Sequence, residues 1–290
     1  MTSTTVLRRF NRSYTQRIGA LDDSFLGLGL PLASARLVFE IGTQPTTIQA
    51  LRARLGLDSG YLSRLLRGLE RQGYVVVRPD PADRRRRVLE LTDAGRALLA
   101  ELDERSEALA RAILEPLSPR HRERLEAALA TADLLVRAAT VEFERVDPAA
   151  PAAREARERY FAEIDERFEN GFDPGPLGPD DDEQYRPPRG MFLVAHSDGA
   201  PAAGGGVREY GGVAEIKRMW VHPDWRGAGL GSRMLRQLED EAVALGHRIV
   251  RLDTRRILID AIALYERSGY RSIGRYNDNP YATHWFEKHL

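Results

Sequence analysis

Apolar residues recur at helical spacing through much of the first half of the chain, and each such block places its polar residues on the opposite side. Residues 47–55 form a first short helix, and a turn at Gly56-Leu57 leads to Asp58 as N-cap of a second helix reaching residue 72. In that second helix Leu62, Leu65, Leu66 and Leu69 share one face, so Tyr61, Arg64, Arg67 and Arg71 point the other way. Residues 74–77 and 88–91 are strand-like and flank a turn at 79–83, predicting a hairpin. Two long amphipathic helices follow over 97–114 (Leu98, Leu102, Leu109, Ile113) and 117–136 (Leu125, Leu129, Ala132, Val136), with Ser118 and Pro119 as N-cap and first-turn proline between them.

The second half changes period. Residues 141–146 alternate as an opening strand, and 154–170 form a helix with Tyr160, Phe161, Ile164 and Phe168 on one stripe and Gly171 as its C-cap. Residues 191–196 and 202–209 pair as a hairpin around Asp198-Gly199. A strand over 213–221, apolar at Ile216, Met219 and Val221, ends at His222-Pro223 because proline lacks a donor for the ladder. Strict alternation puts Lys217 on the face of Glu215 and Met219 and turns Arg218 away. A helix starts near Gly229, carries Leu230, Met234, Leu235, Leu238, Ala242 and Leu245 on its buried face, and stops at Gly246. Residues 249–252, 271–276 and 284–288 supply the remaining strands, the last two around a loop at 277–281.

Chemistry enters at the glycines. Gly227, Gly229 and Gly231 remove side chains from the first turn of a helix, where about four N–H groups lack partners, so the segment suits an anion. A nucleoside-triphosphate loop of the Walker type is excluded, since Ser232-Arg233 stands where Lys-Ser/Thr is needed. A dinucleotide fingerprint fits less well, its third glycine falling one position early, although Asp253 at the end of a strand speaks for it. In the first half, Arg78, Arg84, Arg85, Arg86 and Arg87 gather at the hairpin beside the Tyr/Arg helix face. That combination suits double-stranded DNA, the helix in the major groove and the hairpin on the backbone or minor groove. The competing reading is a solvated, charge-balanced loop, for arginine supplies nearly every cation here and lysine occurs only at Lys217 and Lys288.

Composition narrows the class. A chain of 290 residues has room for two domains, and 43 basic side chains balance 43 acidic ones. Cysteine is absent, which excludes disulfides and thiolate catalysis. There is no long apolar run and no signal-peptide pattern, so a cytoplasmic protein without membrane contact is expected. His196, His222 and His284 stand alone, and no metal is expected. The acidic run Asp180-Asp181-Asp182-Glu183 reads as a solvated loop, with a lid over a site as the sharper alternative.

Arg226-x-x-Gly229-x-Gly231 after a strand, followed downstream by the segment from Ala261 through Leu264-Tyr265 to Gly269-Tyr270, resembles the two signatures of the GNAT N-acetyltransferases. Leu258 stands where members often carry asparagine, removing one hydrogen bond. The resemblance implies an α/β fold with a mixed central sheet over residues 138–290. It further implies acetyl-CoA as co-substrate, its pyrophosphate at Arg226, Gly227, Ala228, Gly229, Leu230, Gly231 and Ser232 and its pantetheine arm along Met219, Trp220 and Val221. Glu215 is the candidate base, acting directly or through water, and Tyr265 the candidate acid. Without the resemblance, Tyr265 reads as a core tyrosine.

In the first half, residues 57–64, 69–73, 80–85 and 91–95 resemble successive signatures of the MarR regulators, implying a mainly α winged helix-turn-helix domain over residues 1–137. DNA contacts would come from Ser59, Gly60, Tyr61, Ser63, Arg64, Arg67, Arg78, Asp83, Arg84, Arg85 and Arg86, with Asp83 and Arg85 bracing the wing. Helices before Ala20 and after Thr92 would make a homodimer, matching a palindromic operator. Three functions fit: a bifunctional DNA-binding regulator and acetyltransferase; a regulator whose second domain only senses acetyl-CoA or an amine; and a protein-lysine acetyltransferase directed to nucleoid proteins. The acceptor-facing residues Tyr160, Glu163, Phe172, Asn277, Asn279 and Trp285 suit a small polar amine.

Overall fold

The computed structural model describes residues 3–43, 46–79, 87–169, 171–173, 179–197 and 200–290. The chain divides into two compact units, Met1–Leu125 and Glu126–Leu290. The division falls inside a helix, and the boundary suggested by the sequence, between 137 and 138, lies in that same helix.

The first unit contains α1 (Ser3–Arg17), α2 (Leu32–Thr43), β1 (Thr46–Thr47), α3 (Ile48–Leu55), α4 (Ser59–Arg71), β2 (Val75–Pro79), β3 (Arg87–Leu91), α5 (Asp93–Leu114) and the start of α6 (Pro119–Thr140). Side-chain caps set the helix starts. Thr47 Oγ1 accepts the Ala50 N–H, Asp58 Oδ1 accepts the Tyr61 N–H at 3.0 Å, and Thr92 Oγ1 accepts the Gly95 N–H. The last cap starts α5 at Asp93, earlier than its apolar stripe suggests. The strands form an antiparallel sheet in the order β1-β3-β2. Leu37, Val38 and Ile41 of α2, Leu62, Leu66 and Leu69 of α4, Leu89 of β3 and Leu98 and Leu102 of α5 close one core.

The second unit follows with β4 (Glu142–Val146), α7 (Pro151–Arg167), α8 (Pro179–Glu183), β5 (Gly190–Ser197), β6 (Ala200–Tyr210), β7 (Val213–Val221), α9 (Leu230–Ala244), β8 (Ile249–Thr254), α10 (Ile259–Arg267), β9 (Arg271–Ile273) and β10 (His284–His289). Its seven strands run β4-β5-β6-β7-β8-β10-β9, antiparallel except for β7 and β8. Met191, Leu193 and Ala195 of β5 join a core with Leu230, Met234, Leu235 and Leu238 of α9, while Phe192 and Val194 face Ala153 and Ala156 of α7. Helices therefore cover both faces of the sheet. Gly204 and Gly205 of β6 permit that close cover, since an added Cβ would meet Ala156 of α7 and Leu238 of α9, each at 2.9 Å.

Three details depart from the sequence pattern. Helix α7 ends at Arg167, with Phe168 as an extended C-cap, so Gly171 (φ 70°) turns the chain beyond the helix end instead of capping it. The acidic run is no solvated loop: Asp181 and Asp182 sit in α8, 12% and 11% exposed at their side chains, paired with Arg157 and Arg218. Strand β7 carries a bulge, with Arg218 at φ 57° and a register shift opposite residues 204–206. Before the bulge Ala214 and Ile216 face the α9 side; after it Met219 and Val221 do.

Candidate functional site

The parallel pairing of β7 with β8 is short, its register ending at Glu215↔Arg251 although both strands run on. Past that point the two strands part, leaving the β8-facing backbone edge of β7 over Met219, Trp220 and Val221 outside any strand pairing. The bulge at Arg218 sits at the fork. A cleft of about 490 Å³ opens there, lined by β7 (Lys217, Arg218, Met219), the end of β8 (Asp253, Thr254), α7 (Tyr160, Phe161, Ile164), α10 (Ala261, Tyr265) and the loop residues Asn277 to Ala282.

Beyond the end of β7, His222-Pro223 leads through a short turn into Gly227 (φ 81°) and Gly229 (φ 78°), and Gly229 is the N-cap of α9 with no side-chain cap bond. Both φ values lie in the left-handed region, which only glycine occupies without strain. An added Cβ at either position would meet nothing within 4 Å, so the space over the first turn of α9 is open. The open N–H groups of that turn and the unpaired β7 edge fit an extended, phosphate-bearing molecule. Arg226 contributes differently from the glycines. Its Nε and Nη2 donate to Val221 O at 3.2 and 3.1 Å and its Nη2 to Glu163 at 2.6 Å, so its guanidinium fastens the loop to the strand end. Glu163 also accepts from Trp220 Nε1 at 3.0 Å, which places it outside the cleft wall.

Glu215 does not line the cleft. Its side chain is 0% exposed; Oε2 accepts from Arg208 at 2.7 and 2.6 Å, and Oε1 accepts from Tyr276 Oη at 2.9 Å and Asn277 Nδ2 at 3.0 Å. With both oxygens engaged and no exposed surface, direct proton abstraction from a bound amine is closed to it. Three carboxylates line the cleft, Asp173, Asp253 and Asp278; Asp253 is held by Lys217 Nζ at 2.9 Å, Asn279 Nδ2 at 3.1 Å and Asn277 Nδ2. Asn277 thus joins Glu215 and Asp253, and its Oδ1 accepts from Trp285 Nε1 at 3.0 Å, so Trp285 supports the wall from behind.

Tyr265 lines the cleft from α10, its ring packed near Tyr270 and Phe286. Burial, aided by the charge of Asp253, pushes its phenol above the ordinary tyrosine range, so it stays protonated at neutral pH. Tyr160 is raised in the same way, by burial first and then by Tyr265 and Asp253. Leu258 is the N-cap of α10 without a side-chain cap bond. The bulge corrects the alternation argument: Lys217 and Arg218 both line the cleft, and Arg218 stacks between Phe161 and Tyr185 while Asp181 holds it at 2.7 and 2.8 Å. Phe161, Phe168 and Tyr281 are wall residues within the two segments, 154–170 and 276–285, expected to carry the acceptor pocket, whereas Arg208 and Arg255 lie outside both. Phe161 and Phe168 stood on the α7 stripe and looked like ordinary core.

In the first unit, α4 buries Leu62, Leu66 and Leu69 and exposes Ser59, Gly60, Tyr61, Ser63, Arg64 and Arg67. Arg64 stacks on Tyr61, and Arg67 Nε donates to Ser63 O at 3.2 Å. Arg78 on β2 is 65% exposed and pairs with Glu90 of β3 at 3.4 Å. Asp83, Arg84, Arg85 and Arg86 lie outside the described residues. Among the described residues no cluster of metal-ligating side chains occurs, and no helix is long and apolar enough to cross a membrane.

Residues 28–86 match the model of the MarR family, and residues 153–270 match that of the Acetyltransferase (GNAT) family. An uncharacterized N-acetyltransferase of Schizosaccharomyces pombe is 34% identical over 100 residues, covering 33% of this chain and 61% of that protein. The IAA acetyltransferase of Azospirillum brasilense is 39% identical over 85 residues, covering 29% of this chain and 56% of that protein. The chain thus spans about three-fifths of the length of these curated relatives. The solved structure of MarR from E. coli is 22% identical, with a TM-score of 0.39, covering 46% of this chain and 97% of that one.

Proposed function

From a chain that belongs to the MarR family over residues 28–86 and to the GNAT acetyltransferase family over residues 153–270, we propose a bifunctional protein: a homodimeric, cytoplasmic regulator of a palindromic DNA operator that also transfers acetyl groups from acetyl-CoA to an amine. The observation that carries the transferase half is the fork between β7 and β8, with open glycine-lined N–H groups beyond its mouth and a protonated tyrosine in its wall.

Gly227, Ala228, Gly229, Leu230, Gly231 and Ser232 would hold the pyrophosphate through backbone N–H groups, and the backbone of Met219, Trp220 and Val221 would pair with the pantetheine arm. Acetyl-CoA supplies the activated acyl group as a thioester. The chain's own residues do the rest. An acceptor amine carries a proton at neutral pH; Asp253, its side chain 5% exposed and both oxygens held by Lys217, Asn277 and Asn279, would take it through a water and not directly. Glu215 acts behind it as a positioning residue through Asn277. Tyr265 keeps a proton at Oη for the departing sulfur, as a phenol does at neutral pH, and its burial moves it further from ionisation.

The DNA half rests on α4, whose exposed Ser59, Gly60, Tyr61, Ser63, Arg64 and Arg67 face away from the core, with Arg78 and residues 83–86 as wing contacts. Thiol release from acetyl-CoA over a panel of small amines and lysine peptides, beside gel retardation of promoter fragments, tests both halves. Amine-dependent release and a retarded fragment are the expected results. Release independent of every amine would end the transferase reading, and no retardation at low salt would end the regulator reading.

A further inference from the structure

The cleft lining carries Arg208, Lys217, Arg218 and Arg255 together with Asp173, Asp253 and Asp278, and Arg255 is the one of these cations without an ion pair among the described residues. Arg208 pairs with Glu215, Lys217 with Asp253 and Arg218 with Asp181, while Asp278 pairs with Arg275. Arg255 also lines the cleft, half-buried, and no carboxylate among the described residues pairs with it. Its guanidinium lies over the Phe168 ring at 4.1 Å from the centroid. Stacking engages the face of a guanidinium and leaves its edge donors directed outward, the geometry that receives a carboxylate. The backbone around it is pinned: Thr254 O accepts the Thr283 N–H, Thr283 Oγ1 accepts the Arg256 N–H at 2.7 Å, and Arg255 O accepts the Leu258 N–H. Beside it Phe168, Phe172 and Tyr281 form one aromatic cluster, with centroids 4.8 to 5.8 Å apart, and Phe161 stacks on Phe172.

We propose that Arg255 is the carboxylate-binding residue of the acceptor subsite, and that the acceptor is a small amine carrying a carboxylate and an aromatic or branched apolar body, as an apolar α-amino acid does. This rests on the acetyl-transfer reading of the same cleft. The acceptor's carboxylate takes the edge of Arg255, its apolar body lies on the aromatic cluster, and its amine remains to reach Asp253 and Tyr265.

The test titrates L-phenylalanine and 2-phenylethylamine, which differ by the carboxylate, into the full-length protein without cofactor by calorimetry. Wild type, Arg255→Gln and Arg255→Lys are compared, and acetyl-CoA is titrated separately. Phenylalanine should bind at least tenfold more tightly than 2-phenylethylamine in wild type. That ratio should fall to about one in Arg255→Gln and lie between in Arg255→Lys. A wild-type ratio near one, an unchanged ratio in a folded Arg255→Gln, or no binding of either probe at millimolar concentration overturns the proposal. Should Arg255→Gln fail to fold, the wild-type ratio still decides. Failure of acetyl-CoA to bind sinks the transferase reading alone, because the probe ratio is read without it.

Discussion

Tyr265 and Glu215 show how burial divides two polar residues that the sequence sets side by side as acid and base. The tyrosine lines the cleft and keeps its proton as any phenol does at neutral pH, while burial disfavours the phenolate further. The glutamate, 0% exposed and held by Arg208, Tyr276 and Asn277, is placed to position Asp253 through Asn277, and removing either member of its ion pair with Arg208 would strand a buried charge at a cost of about 3–5 kcal/mol. Replacing Tyr265 by Phe should lower kcat by roughly 100- to 10,000-fold with little change in acetyl-CoA affinity. Single-turnover thiol release alongside calorimetric titration reads both quantities. Undiminished kcat would make Tyr265 the core tyrosine that its contacts with Tyr270 and Phe286 also allow.

At the scale of elements, α4 is a helix held by leucines behind and Asp58 in front. The Tyr61 N–H bonded to Asp58 is the main cause that holds its carboxyl below the ordinary aspartate range. Arg64→Ala and Arg67→Ala, on its exposed face, should each weaken operator binding and reduce the slope of log affinity against log salt by about 0.9 for every DNA phosphate left without its cation. Fluorescence anisotropy at several salt concentrations measures this; slopes and affinities equal to wild type would remove those side chains from the interface. Elements with local causes are legible in the sequence: the cap at Asp58, the helix start at Pro119, the 62–69 leucine face and the glycine loop into α9 are all written within a few neighbouring residues. What escapes it depends on distant partners. The bulge that turns Arg218 into the cleft is stabilised by Asp181 on α8 and by the rings of Phe161 and Tyr185, and no alternation rule contains them. For the same reason the acidic run reads as solvated until Arg157 and Arg218 are seen to meet it. Asp253 draws attention in the sequence only as a partner for a ribose, without the glycine pattern to accompany it, because its place beside β7 follows from parallel pairing and not from sequence distance.

As a whole molecule, the chain carries a winged helix-turn-helix unit and an acyltransferase-type unit, each with its own core. Helix α1 adds nothing to either core among the described residues. Val6, Leu7, Phe10 and Tyr14 stand 44, 60, 44 and 44% exposed on one of its faces, with Phe10 and Tyr14 stacked at 5.5 Å. Such a stripe fits a second copy of the chain. Leu7→Asp with Phe10→Asp should convert a dimer to a monomer in sedimentation velocity and weaken operator binding, and an unchanged sedimentation coefficient would place the dimer contact elsewhere. The central claim is that the fork between β7 and β8, with the Gly229 turn beyond it, receives acetyl-CoA. Isothermal titration of acetyl-CoA into wild type and Gly229→Val addresses it most directly, because valine cannot hold the φ of 78° that opens the first turn of α9. Dissociation constants on the order of micromolar in wild type, corresponding to about −8 kcal/mol, and none measurable in the folded variant are the predicted result; equal affinity in both, or no binding to wild type, would contradict the account.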